Sequence, residues 1–120
     1  MDKLKALATG KRGEELAREH LEKKGYEIVE QNYKTKYGEI DLVCRRKNDL
    51  VLVEVRTKIG EVFGAPEDTI NNKKRRKLRF NALAYARRKR WSGPLRIDAV
   101  CLVLKPDGSL TRLDHYENIV

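Results

Sequence analysis

Asp41 and Glu54 are the two residues of this chain whose types and spacing most directly suggest shared chemistry. Asp41 lies in the run Gly38-Glu39-Ile40-Asp41-Leu42-Val43, and Glu54 lies in Val51-Leu52-Val53-Glu54-Val55-Arg56-Thr57-Lys58. Both runs alternate apolar and polar residues, and the stretch Arg46-Lys47-Asn48-Asp49 separates them. That pattern predicts a β-hairpin with a four-residue loop. With Arg45 opposite Leu50, an antiparallel register puts Asp41 opposite Glu54 and Glu39 opposite Arg56. Directly paired side chains share a face at roughly 5 Å between Cβ atoms. Two carboxylates held so close repel, and a divalent cation with oxygen ligands would resolve the repulsion. Otherwise each acid would pair with a neighbouring cation, Arg56 with Glu39 among them.

The remaining elements must carry this hairpin. Residues 10–24 read as a helix with Leu16, Ala17, His20 and Leu21 on one side and Gly25 as its stop. Residues 26–31 alternate as a strand, followed by hairpin strands at 38–45 and 50–58. Residues 59–72 predict a long loop or a short helical turn, and loops of that length are often functional. A second helix is expected over 72–90, with Leu78, Ala82, Tyr85 and Ala86 at helical spacing. Ser92-Gly93-Pro94 ends it, and strands follow at 95–104 and 110–116 around the turn Pro106-Asp107-Gly108-Ser109. The order αβββαββ predicts an α/β fold, a mixed central sheet flanked by helices, in a single domain over 1–120.

Composition narrows the partner. The 120 residues are 38% charged with a formal net charge of +9, and the sequence pI is about 9.7. That balance favours a polyanion, nucleic acid first and an anionic membrane surface second. No apolar run approaches the ~20 residues of a membrane span. The N-terminal segment Met1-Asp2-Lys3-Leu4-Lys5-Ala6-Leu7-Ala8 lacks the long apolar stretch of a secretory signal. Cys44 and Cys101 sit far apart, each in an apolar run, as expected of reduced core thiols in a cytoplasmic protein. His20 and His115 show no ligand-like spacing.

The second helix concentrates the positive charge. Lys73, Lys74, Arg75, Arg76, Lys77 and Arg79 crowd its start, and Arg87, Arg88, Lys89 and Arg90 crowd its end. Leu78, Ala82 and Tyr85 claim the core side, so the cations spread over the exposed arc. Phosphate contacts are the expected use of such a surplus. Trp91, Tyr33, Tyr37 and Phe63 could stack on bases or pack internally. No base-reading motif is present, so recognition would rest on nucleic-acid shape.

The pattern Gly38-Glu39-Ile40-Asp41-Leu42 followed by Val53-Glu54-Val55-Arg56-Thr57-Lys58 resembles the bacterial YraN family. Gly13-Glu14-Glu15-Leu16-Ala17, Gly25-Tyr26, Phe63-Gly64-Ala65-Pro66-Glu67 and Arg96-Ile97-Asp98-Ala99-Val100 extend the likeness over nearly the whole chain. The resemblance implies a restriction-endonuclease-like core of the PD-(D/E)xK superfamily. It implies that Asp41 and Glu54 hold Mg2+ or Mn2+, with the Val55 carbonyl as a further ligand and Glu14 supporting the metal or its waters. The motif lysine would stand at position 56, which is Arg56. Arginine can neutralise charge but cannot act as a base. Lys58, about 7 Å further along the same face, is the candidate substitute. Lys73 and Lys74 are the candidates to approach the site from the second helix.

The expected function is nucleic-acid binding with metal-dependent phosphodiester cleavage, DNA being favoured over RNA and no membrane involved. Many duplex-cleaving enzymes use two active sites, which makes a homodimer a candidate assembly. The alternatives are an inactive nucleic-acid-binding module of the same fold and a basic RNA- or ribosome-associated protein. Asp98 is read as a strand-end acid bonded to backbone or to an arginine, and Glu67 and Asp68 as N-terminal acids of a short helix.

Overall fold

The computed structural model describes residues 2–120; Met1, where the N-terminal segment begins, lies outside them. Helix α1 spans Lys3–Lys23, strand β1 Glu27–Thr35, β2 Gly38–Arg46 and β3 Asp49–Ile59. A 3-10 turn at Pro66–Thr69 precedes helix α2, Asn72–Lys89, and strands β4, Leu95–Leu104, and β5, Leu110–Tyr116. This is the expected αβββαββ order, and the last two strands have the expected limits. Helix α1 starts earlier than residue 10 because Asp2 caps it, accepting a hydrogen bond from the Lys5 N–H at 2.8 Å.

The five strands form one sheet in sequence order. Strand β3 pairs antiparallel with β2 and parallel with β4, α2 making the crossover between β3 and β4. The hairpin register is the expected one, Arg45 opposite Leu50, but pairing continues to Arg46 and Asp49. The loop is therefore a two-residue turn, with Lys47 in the left-handed region at φ 56° rather than a four-residue loop.

Each face of the sheet carries a helix. Ala17 and Leu21 of α1 pack on Leu42, Cys44, Val51, Val53, Val100 and Leu102. Leu78, Ala82 and Tyr85 of α2 pack on Ile40, Val43, Leu50, Leu52 and Ile97. Burying a leucine of this kind is worth roughly 2 kcal/mol, so both helices are firmly seated. The expected loop at 59–72 is fastened to the sheet. Arg112 of β5 holds Glu61 at 2.7 Å and Glu67 at 2.7 Å, and Tyr116 donates to Glu67 at 2.6 Å. Together they draw the Glu67 carboxyl down to about 2.

Candidate active site

The site forms where the sheet forks. The β2–β3 ladder ends at Leu42 and Val53. Beyond it β2 pairs only with β1, as far as Thr35 and Gly38, and β3 only with β4, as far as Ile59 and Leu104. Asp41 and Glu54 are the first residues past the last rung. They are therefore neighbours, as the register implies, without being a ladder pair.

Strand β2 also changes face at this point. Ile40 and Leu42, two residues apart, belong to opposite core clusters, so the twofold alternation breaks at Asp41. Its partner position on β1 is Asn32, which has φ 50°, a conformation that asparagine tolerates better than most side chains. This explains why β1 does not stop at residue 31 as expected: it passes through a left-handed asparagine and continues to Thr35. Asn32 Nδ2 then donates to Glu14 Oε1 and Glu39 Oε1, each at 2.9 Å.

Glu14 reaches the fork because α1 lies directly on β3. A Cβ added at Gly13 would fall 1.9 Å from Thr57 Oγ1, so only glycine permits this approach. The Glu14 carboxyl is raised above its ordinary range, first by burial and then, against the Asn32 bond, by Glu39 and Glu54.

Asp41 turns its carboxylate to the backbone of β3, accepting the Val55 N–H at 2.8 Å. Burial, then the charge of Glu54, lift its carboxyl to about 8, which favours the protonated form of Asp41 at neutral pH. Glu54 is only 4% exposed. Lys74 Nζ lies 3.0 Å from its Oε2 and Arg56 Nε lies 3.3 Å away. The Arg56 Nε is out of solvent yet not aligned for a hydrogen bond. Arg56 thus faces Glu54 rather than Glu39, which is taken by Asn32.

Lys58 is not brought in as the substitute lysine. Its Nζ turns to the Phe63 carbonyl at 3.5 Å, because the strand carries it beyond the fork to the fastened loop. The lysine that reaches Glu54 is Lys74, from α2. Asn71 caps the helix, accepting the Lys74 N–H at 2.9 Å, and so fixes the turn from which Lys74 reaches Glu54.

Asp41 and Glu54 offer carboxylate oxygens, the ligands magnesium and manganese prefer, and Glu14 lies within range of their charges, though among the described residues the three carboxylates are not gathered within one ion's reach. Both nearby cations address Glu54, and among the described residues no ion pair engages Asp41. A buried carboxyl holding a spare proton is one from which a metal displaces that proton.

The comparisons with known proteins bear on the same residues. The model of the family described as "Uncharacterised protein family UPF0102" matches residues 13–102. The chain belongs to family UPF0102. This is the YraN grouping to which the motifs point. UPF0102 proteins similar to it include one from Thermotoga maritima, 44% identical over 109 residues, covering 91% of this chain and 94% of the relative. One from Pelotomaculum thermopropionicum is 38% identical over 110 residues, covering 91% and 92%. One from Thermodesulfovibrio yellowstonii is 37% identical over 112 residues, covering 93% and 95%. The UPF0102 match takes in Glu14, Asp41, Glu54, Arg56 and Lys74 together.

Beyond the fork, Lys73, Arg75, Arg76, Lys77 and Arg79 are exposed around the start of α2, and Lys74 is half-buried. Asp98 stands apart from the acidic fork. Fully buried, it takes Arg96 Nε at 2.9 Å, the Asn118 N–H at 2.9 Å and the His115 ring at 2.9 Å, the arginine- and backbone-bonded acid expected. No helix among the described residues is long and apolar enough to cross a membrane. Asn32 and Gly13 were not singled out by sequence reasoning for these roles. An asparagine inside a strand pattern, and a glycine inside a helix beside a candidate acid, are the signals that could have marked them.

Proposed function

We propose that this domain hydrolyses phosphodiester bonds of nucleic acid with the help of magnesium or manganese, in the manner of the PD-(D/E)xK nucleases. The observation that carries this reading is the convergence of Glu14, Asp41 and Glu54 from three elements on one fork, with Lys74 and Arg56 against Glu54. A bound divalent ion would supply a water of lowered pKa and positive charge toward the phosphoryl oxygens. Asp41 and Glu54 would hold it, the Val55 carbonyl beside them. Glu14, oriented by Asn32, would accept a hydrogen bond from the attacking water. Lys74 can neutralise developing charge and can also release a proton, which Arg56 cannot.

The start of α2 supports the nucleic-acid part. A helix N-terminus carries partial positive charge and normally attracts acids. Here the first turn has no acid and holds Lys73 and Lys74 instead. Such crowding is relieved by an anion at the helix start, and a phosphate is the natural one.

Arg56 favours a second reading, an inactive nucleic-acid-binding module, because it stands where the motif has lysine. The two separate on hydrolysis of duplex, single-stranded and branched DNA and RNA with magnesium, with manganese and with neither. Metal-dependent products support the enzyme. Binding without products under every condition supports the module.

A further inference from the structure

Away from the acidic fork, the turn between β1 and β2 and the outer face of α2 enclose a groove of about 1020 Å³. Tyr37 and Phe80 form its floor, stacked at 5.4 Å between ring centroids and 26° between planes. They are 39% and 46% exposed, and Leu83 beside them is 56% exposed. Lys34, Lys36, Arg87 and Arg88 line its rim, and no acid lines it. Among the described residues no ion pair engages those four cations, and Lys36 Nζ stands 5.2 Å from the centroid of the Tyr37 ring. The walls are tied together: Thr35 donates its hydroxyl to Oδ1 of the buried Asn81, and the Tyr37 N–H returns to Thr35 Oγ1 at 3.0 Å.

We propose that this groove binds unpaired nucleotides of a single DNA strand, bases on the Tyr37–Phe80 pair and phosphates on the rim. The inference rests on the nucleic-acid reading above and adds to it that the substrate has an unpaired segment beside the cleaved bond. Flat apolar faces joined to negative charge are what this surface complements. A duplex keeps its bases stacked inside and would leave the aromatic pair idle. A second copy docked face to face would set the four rim cations against their own images. Phe80 stands about 9 Å and Arg88 about 21 Å along the α2 axis from Lys74, a reach of a few nucleotides.

The test is binding of a fluorescein-labelled oligo-dT of about 12 nucleotides and of a blunt duplex, without metal, so that cleavage plays no part. Wild type is compared with Tyr37→Ala/Phe80→Ala and with Tyr37→Leu/Phe80→Leu, which keeps the apolar surface and removes the ring faces. Thermal melting checks that both fold, as expected for exposed positions. The expected result is an affinity for oligo-dT lower by about tenfold or more in both variants, with duplex affinity within about twofold. Unchanged oligo-dT binding, a leucine variant equal to wild type, or equal losses on both probes would overturn the inference and leave the nuclease reading standing. Wild type binding neither probe would overturn both. A concentration-dependent dimer in wild type that the variants lose, with oligo-dT affinity unchanged, would assign the groove to a second copy and overturn it as well.

Discussion

Lys74 Nζ lies 3.0 Å from Glu54 Oε2, whereas Lys58, on the same strand as Glu54, turns away to the Phe63 carbonyl. The lysine against Glu54 therefore comes from α2. In the proposed reaction Lys74→Ala lowers the single-turnover cleavage rate by about a hundredfold or more, and Lys58→Ala changes it by less than about threefold. A loss confined to Lys58→Ala would place the functional lysine on β3 instead.

The proton held by Asp41 gives the metal-free protein a characteristic pH dependence. Its carboxyl is raised in the folded state to about 8, so the folded chain binds that proton more tightly than the unfolded chain. The associated stability is fully present below the ordinary aspartate pKa of about 4, is lost progressively above it, and is gone once pH has passed about 8. Asp41→Asn removes the loss. The variant should melt several degrees above wild type at pH 9, with a smaller gap at pH 6, where about 1 kcal/mol corresponds to about 4 °C. Added magnesium should raise the wild-type melting temperature at pH 9 and leave the variant unmoved. A variant that melts below wild type at pH 9 would mean that the Asp41 charge is not a burden on the fold.

Docking on α2 should register in the salt dependence of binding. Replacing Lys73, Arg75, Arg76, Lys77 and Arg79 with glutamine, singly and together, should flatten the plot of log affinity against log salt. The slope should change by about 0.9 for each duplex phosphate that is no longer neutralised. A slope unaltered in the combined variant would move the docking face elsewhere.

The parts of the fold that follow local rules were legible in the sequence. Alternation and turn residues mark β4, β5 and the hairpin register, and that register already makes Asp41 and Glu54 neighbours. The fork was not legible, because it arises from competition. Strand β3 follows β4 in parallel while β2 follows β1, and neither choice is visible in one strand's pattern. The same competition explains the reversal of faces at Asp41 and the left-handed Asn32 opposite it. Gly13 enters the sequence reading only as part of the YraN-like motif; the Thr57 side chain that demands a glycine there is brought against it by the fold. The basic block at the start of α2 was evident, but which cation enters the site depends on the Asn71 cap.

The most direct measurement is cleavage of a labelled nucleic-acid panel with magnesium or manganese by wild type, Asp41→Asn and Glu54→Gln, each first shown to bind. The expected result is metal-dependent products from wild type and a loss to background in both variants with binding retained. Wild type that binds and never cuts, or variants that cut as well as wild type, would contradict the assignment of Asp41 and Glu54 as the metal-holding pair of a nuclease.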